Sequence, residues 1–261
     1  MNILITINSF YKEQLKIMLK SLNSSNIEGN IKVYCIYSDL SSEDIYDIEK
    51  DQFLKELDFS WIKISNESLK EAPVSDRYPK EMYYRLFAYK YLPKDIDKIL
   101  YLDPDIIVLR SLKELYSLQL EDNFYAAASH IRKPLRKMNE IRLGAKNLHN
   151  YVNSGVMLIN LKALREENPE KEIYSFIEEK KNLLFLPDQD VINGLFSDKI
   201  VELDPLIYNL SDRILYIKGL ANEEGINWVK ENTKIIHYCG RNKPWKDNYV
   251  GKLGEFYYKY K

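Results

Sequence analysis

The chain has 261 residues, 45% hydrophobic and 30% charged, a globular composition whose length suits one large domain or one with a small annex. Its formal charge of −1 excludes the broad basic footprint of a nucleic-acid-binding protein. No apolar stretch approaches the roughly 18 residues of a membrane span, and the opening MNILITI lacks the basic start and long apolar core of a secretory signal, so a cytoplasmic chain is expected. Cys35 and Cys239 lie in the apolar runs VYCIY and IIHYCG without CxxC spacing. Reduced, buried thiols fit that compartment, and the sequence leaves their pairing open.

NILITI (2–7) is continuously apolar and predicts a buried strand. Asn8 and Ser9 then supply a loop or cap, and Leu15, Met18, Leu19 and Leu22 recur at helical spacing. IKVYCIY (31–37) predicts a second strand. SSEDIYDIEKDQFLKEL opens with a capping box, Ser41 to Asp44, and predicts a helix carrying Ile45, Ile48, Leu54 and Leu57. FSWIKI (59–64) is a third strand. Such alternation predicts an α/β fold with a parallel sheet, in which ligands bind beyond the carboxyl ends of the strands.

After the breaker-rich EAPVSDRYPK, EMYYRLFAYKYL predicts a helix with Met82, Leu86 and Tyr89 on one face. Arg85 stands beside that face, either reaching solvent or meeting a buried anion. The strand KILYL, then DPD, then IIVL follow. FYAAAS is a strand, and a polar, basic stretch from His130 to Asn150 shows no clean periodicity. VNSGVMLIN predicts a strand, residues 170–182 a helix, PDQD the start of a short helix, and IVELD and KIIHY two more strands. There are no repeats and no low-complexity linkers.

Three D-x-D pairs occur: Asp95–Asp97, Asp103–Asp105 and Asp188–Asp190. Most such pairs are solvated surface, and Asp95–Asp97, in a polar turn, reads that way. Asp103–Asp105 differs because four apolar residues lead into it and four lead away. Pro104 cannot donate to a sheet ladder, so the strand stops or bulges there and projects both carboxylates from a rigid end. Like charges that close repel unless a cation sits between them, and a hard divalent ion, Mg²⁺ or Mn²⁺, is the natural candidate. His237 ends another Ile-rich run, KIIHYCGRNKPW. A lone strand-end histidine is more often a satisfied core residue. Gly240, Lys243 and Pro244–Trp245 around it suit a metal-bound phosphate group instead.

YLDPDIIVL, VNSGVMLINL, LPDQDVINGLF and HYCGRNKPW, in that order, resemble the retaining glycosyltransferases of family eight. The likeness runs from the first strand to Trp245. It implies a GT-A type, Rossmann-like fold with a mostly parallel central sheet, and one catalytic domain over 1–261 with a nucleotide-binding half (1–110) and a donor-sugar and acceptor half (111–261). It also implies a UDP-glucose or UDP-galactose donor and a glycan or glycolipid acceptor. By that resemblance Asp103, Asp105 and His237 bind Mn²⁺ (or Mg²⁺), with Pro104 between the aspartates, and Gly240 and Lys243 contact the diphosphate. Ile7, Asn8 and Tyr11 occupy the uridine-binding position, Tyr11 as the aromatic that stacks on uracil. Asn8 and Ser9–Phe10 depart there from the family's acidic pattern.

Arg85 matches an arginine near nucleotide and sugar, Asn153 an asparagine at the sugar end, and Asp188 a carboxylate that holds sugar hydroxyls. Gln189 lies where the family places a side chain on the reacting face. A plainer reading of PDQD is a helix start with acidic capping. Acceptor contacts are expected from SDRYPK and SHIRKPLRK. His130 stands where one well-matched member has an acidic acceptor contact, so the same acceptor is not implied. The basic cluster at 132–142 suits an anionic glycolipid or a solvated face. The tail GKLGEFYYKYK suits weak peripheral contact with the inner face of the plasma membrane. Two rival readings stand beside the transferase: a haloacid-dehalogenase-like phosphatase with Asp103 as nucleophile, and a non-catalytic sugar-nucleotide binding protein. The sequence does not set the oligomeric state.

Overall fold

The computed structural model describes all residues except 27–28, 65–80, 132 and 146–150, and the side chains of Glu81 and Lys133. Its nine described strands are β1 (Asn2–Ile7), β2 (Lys32–Tyr37), β3 (Asp58–Lys63), β4 (Lys98–Leu102), β5 (Ile106–Val108), β6 (Tyr125–Ser129), β7 (Val152–Asn160), β8 (Ile200–Leu203) and β9 (Ile235–His237). Seven form one sheet in the order β3-β2-β1-β4-β7-β6-β8, and β5 and β9 form a separate antiparallel pair. Only β7 runs against the other six strands of the large sheet, which is therefore mostly parallel, as expected.

Both faces of the large sheet are covered, which is why its strands read as continuous apolar runs. Leu4, Ile36, Ile99 and Met157 point into one core, and Ile3, Ile5, Val33, Leu100 and Leu158 into the other. A third cluster surrounds the small pair, with Ile107 and Ile236 packed among Leu210, Leu215, Val229, Tyr238 and Phe256. Helix Lys12–Ser25 bears on the second core through Leu15, Met18, Leu19 and Leu22, the four residues its spacing selects.

Several elements depart from the sequence reading. IIVL does not continue the large sheet but leaves it for the small one. The helix begun by the Ser41–Asp44 capping box stops at Glu49, where the Asp51 carboxylate accepts from Phe53 N at 3.0 Å and turns the chain. EMYYRLFAYKYL is broken into Glu81–Tyr84, a 3-10 turn Arg85–Phe87, and Ala88–Tyr91, with Arg85, Leu86 and Phe87 all buried. The basic stretch after His130 is helical over Lys133–Leu143. Its Leu135, Met138 and Ile141 face outward, so no inward apolar stripe marks it. In the C-terminal tail, Phe256 and Tyr257 are buried in the third cluster, while Tyr258 is half exposed. Among the described residues no helix is long and apolar enough to cross a membrane.

The small sheet is fastened to helix Lys12–Ser25 by side chains. Ser21 Oγ accepts from Val108 N at 3.0 Å and donates to Met18 O at 2.6 Å, and Ser25 Oγ donates to Val108 O at 2.8 Å. Ser21→Ala leaves the buried Val108 N–H without its partner and is expected to cost about 1–3 kcal/mol. Urea unfolding monitored by circular dichroism measures that loss.

Candidate active site

Strand β4 of the large sheet ends at Leu102, and Asp103–Pro104–Asp105 carry the chain across to β5. The crossing is held at both ends: Asp103 N donates to Gly155 O at 2.8 Å, and Tyr238 N donates to Asp105 O at 3.0 Å. In the small sheet Ile106 pairs with His237, so the residue after Asp105 lies opposite the histidine. As a result Asp103, Asp105 and His237 bring one ligating atom each to within 4.8 Å of one another. Their approach requires a glycine on β7. A Cβ at Gly155 would stand 2.2 Å from His237 Cε1 and 2.6 Å from Asp103 Oδ2.

The two aspartates have protein cations beside them. Arg85 Nη2 lies 3.0 Å from Asp103 Oδ1 and Nη1 lies 3.2 Å from Asp188 Oδ2. Its guanidinium also stacks 4.3 Å from the centre of the Tyr101 ring. Of the two fates open to Arg85, the structure shows burial between anions. Tyr101 donates its hydroxyl to Asp103 Oδ1 at 2.6 Å, and Thr6 Oγ1 lies 3.0 Å from that hydroxyl. Lys243 pairs with Asp105 Oδ2 and donates to Tyr238 O at 2.8 Å.

Burial alone would raise the Asp105 carboxyl, but Lys243 and His237 outweigh it and hold the group below the usual carboxylate range. Burial would lower Lys243, and Asp105 outweighs it to keep the ammonium charged. At Asp188 burial wins over Arg85, and the carboxyl rises.

The central set fits a divalent cation. His237 Nε2 lies 3.1 Å from Asp105 Oδ1 and 3.6 Å from Asp103 Oδ2. Asp105 Oδ1 is buried, and the imidazole at 3.1 Å is its polar neighbour. Two carboxylates and an imidazole converging on one point form a donor set that Mn²⁺ or Mg²⁺ can accept.

One wall is built by β7 and helix Pro187–Leu195. Asn193 in that helix exchanges hydrogen bonds with the Val152 backbone, donating to its carbonyl at 2.9 Å and accepting from its N–H at 2.7 Å. Asp190, fully buried, accepts from Arg142 at 2.6 and 2.8 Å, from the Tyr151 hydroxyl at 2.6 Å, and from the N–H groups of Phe185 and Leu186 at 2.7 and 3.0 Å. The helix start is therefore rigid, and Arg142 from the basic stretch is engaged with the protein itself. The same start holds Asp188, whose Oδ2 accepts from Ser154 Oγ at 2.8 Å while its buried Oδ1 has no hydrogen-bond partner. Gln189 Oε1 accepts from Asn153 Nδ2 at 3.1 Å.

Across the crevice, Ile7 closes β1 and is buried, and Asn8 follows with its Oδ1 buried and unpartnered. Asn8 makes no side-chain cap; Ser9 instead ties the loop to Asp39 through its N–H and hydroxyl at 2.9 and 2.8 Å. Tyr11 meets Trp245 edge-on at 6.3 Å, and Lys243 lies 5.3 Å over the Trp245 ring. Pro104 is half-buried between the aspartates, and Gly240, exposed, has φ +85°, a conformation that favours glycine.

Sequence reasoning missed Tyr101, Ser154 and Asn209. Tyr101 reads as one more apolar residue of KILYL, and Asn209 stands in PLIYNLSD with no pattern around it. Buried Asn209 accepts at Oδ1 from His237 Nδ1 at 2.9 Å and donates from Nδ2 to Asn153 Oδ1 at 3.0 Å. His130 lies nearby, with Nε2 2.6 Å from Asn209 O and Nδ1 3.7 Å from Cys239 Sγ. Burial pushes that imidazole down to about 4. Cys35 is buried, Cys239 lies half-buried just beyond β9, and both are free thiols. The expected acceptor loop SDRYPK and Arg132 lie outside the described residues.

Fold and site together are those of a GT-A type glycosyltransferase. The chain belongs to the family described as Glycosyl transferase family 8, which matches residues 2–249. It is 32% identical over 190 residues to a lipopolysaccharide 1,2-glucosyltransferase of Escherichia coli, covering 70% of this chain and 55% of that protein. The chain thus spans about half the length of that relative. It is 27% identical over 248 residues to general stress protein A of Bacillus subtilis, covering 92% of this chain and 85% of that one. Among solved structures, the galactosyltransferase LgtC in complex with donor and acceptor sugar analogs superposes with a TM-score of 0.85 at 24% identity, covering 100% of this chain and 95% of that chain. That likeness is one of fold.

Gly155→Ala is expected to push His237 and Asp103 apart and, as overpacking at a closed site, to lower stability by about 1–3 kcal/mol. Denaturant unfolding reads the stability change, and the His237 ring resonances in an NMR spectrum report the displacement.

Proposed function

We propose that the chain is a metal-dependent, retaining hexosyltransferase that moves glucose or galactose from a UDP-sugar to a glycan or glycolipid acceptor. The observation that carries this reading is the meeting of Asp103, Asp105 and His237 within 4.8 Å at the crossing between two sheets, with Lys243 beside it. Asp103, Asp105 and His237 would hold the cation, which would supply positive charge against the diphosphate of the departing UDP. Lys243, already charged and buried, adds a fixed positive group there, and Gly240 lets the loop backbone approach the phosphates. Tyr11 stacks on uracil, while Ile7 and Asn8 line the base and ribose, the bare Oδ1 of Asn8 being free to accept.

Arg85 bridges Asp103 and Asp188 and so aligns the phosphate end with the sugar end. The unpartnered Asp188 Oδ1 is a buried acceptor awaiting a donor, which a sugar hydroxyl supplies. Asn153 stands beside it, and Gln189 takes the reacting face. An amide is a weak nucleophile, so same-face substitution is favoured over a double displacement, with the departing phosphate taking the acceptor's proton. The names of the Escherichia coli relatives, lipopolysaccharide glucosyltransferases, support a lipid-linked saccharide as acceptor. A cytoplasmic enzyme at the inner membrane face accords with that class of acceptor. The phosphatase reading gains nothing from the site, because Asp103 Oδ1 is already engaged by Tyr101 and Arg85.

The test is UDP release from UDP-glucose and UDP-galactose with and without Mn²⁺. Metal-dependent release from one donor is expected, with Asp103→Ala and Asp105→Ala each at least about 100-fold slower. Metal-independent release, or release of phosphate from phosphomonoesters instead, would overturn the proposal. Lys243→Met is expected to lower kcat by about 100-fold or more, since it removes a charge aimed at the leaving group. Stopped-time chromatography of UDP measures it.

A further inference from the structure

We infer that Asn209 is the hub of a one-directional hydrogen-bond relay that orients His237 at one end and Gln189 at the other. The relay commits Gln189 to meet the substrate through its N–H rather than its oxygen. This rests on the transferase reading, and it assigns roles to atoms that reading leaves open.

The direction of the relay follows from a backbone group. Gly155 N–H can only donate, and it points at the Asn153 side chain at 3.1 Å, which makes that atom the oxygen. Asn153 Nδ2 must then be the donor to its other neighbour, Gln189 Oε1 at 3.1 Å. A second backbone donor agrees, because Ser154 N lies 3.4 Å from the same Oε1. On the other side, Asn153 Oδ1 receives Asn209 Nδ2 at 3.0 Å, which turns Asn209 Oδ1 toward His237 Nδ1 at 2.9 Å. His237 therefore carries a proton on Nδ1 and directs Nε2 at Asp103 and Asp105. Asn209 has no freedom to reverse this. It is fully buried, and its own carbonyl takes His130 Nε2 at 2.6 Å.

Two consequences come from the same chain of bonds. At the metal end, a ligating imidazole needs its second nitrogen held by an acceptor to keep ring and tautomer fixed, and Asn209 is that acceptor. At the sugar end, Gln189 Oε1 already accepts two hydrogen bonds, which uses both lone pairs of an amide oxygen. It has no pair to direct at an anomeric carbon. The Gln189 amide nitrogen has two hydrogens, of which the Tyr151 hydroxyl takes one; what Gln189 can offer a substrate is the other N–H, which suits an oxygen of the leaving phosphate or the incoming hydroxyl. Asn209 and Asn153 act here as positioning residues.

Asn209→Asp and Asn209→Ala separate the two ends. The aspartate still accepts from His237 Nδ1–H but has no donor for Asn153, whereas the alanine serves neither. Mn²⁺ binding, followed by the EPR signal of free Mn²⁺ with UDP present, is expected to weaken about 10–100-fold in Asn209→Ala and to stay within about threefold in Asn209→Asp. Asn209→Asp is nevertheless expected to lose about 10-fold or more in kcat with little change in the KM for UDP-hexose.

Two-bond ¹H–¹⁵N spectra at alkaline pH, where imidazoles are neutral, should show His237 protonated on Nδ1 and His130 on Nε2. An Nε2-protonated His237, an Asn209→Asp enzyme as fast as the wild type, or a sugar trapped covalently on Gln189 would each overturn the relay. Should the wild type neither bind Mn²⁺ with UDP nor release UDP, the transferase reading fails, and the two tautomers still judge the relay. If Asn209→Ala does not fold by circular dichroism, Asn209→Asp and the tautomers decide.

Discussion

Two carboxylates at the end of a core strand must be compensated, and the architecture of the site follows from how that is done. Asp103 and Asp105 are one residue apart, yet they face different cations because the chain crosses between sheets at Pro104. Asp103 turns toward Arg85 and Tyr101 on the side of the large sheet, and Asp105 toward Lys243 and His237 on the side of the small one. The remaining face, between the two, is where His237 and both aspartates meet. A cation there would complete an arrangement whose other charges are already held by the fold.

The counter-ions also connect the functional regions. Arg85 touches Asp103 and Asp188 together, so the strand end and the start of helix Pro187–Leu195 share one guanidinium. Lys243 joins Asp105 to Trp245, and through that ring to Tyr11 in the first loop. Buried ion pairs of this kind are weak evidence for stability, because desolvation offsets much of their attraction. Their value here is geometric. Each charge is directed by a partner from a different element, so the fold itself sets where the charges stand.

The basic stretch after His130 shows the reverse case. It invites an anionic ligand when read as sequence, yet Arg142 is taken up by Asp190, and Lys137 shares the exposed face with Leu135, Met138 and Ile141. Charge counted along a chain says nothing about which charges the protein uses internally.

Much of the fold was legible in the sequence because burial on both faces of a parallel sheet leaves continuous apolar runs, and the helix of Lys12–Ser25 shows its inward stripe. The apolar flanks of Asp103 and Asp105, and the glycine and lysine after His237, were equally visible as local patterns. The pairing of Ile106 with His237, more than a hundred residues away, was not, since antiparallel register is a property of two strands and neither carries it alone. The same holds for Asn209, whose role arises from neighbours on β7 and β9 and from no feature of PLIYNLSD. The sequence by itself determined which side chains could do chemistry and that strand ends would present them. Only the tertiary structure decided which of them meet, because hydrogen-bond direction and charge pairing at short range depend on positions that distant segments fix together.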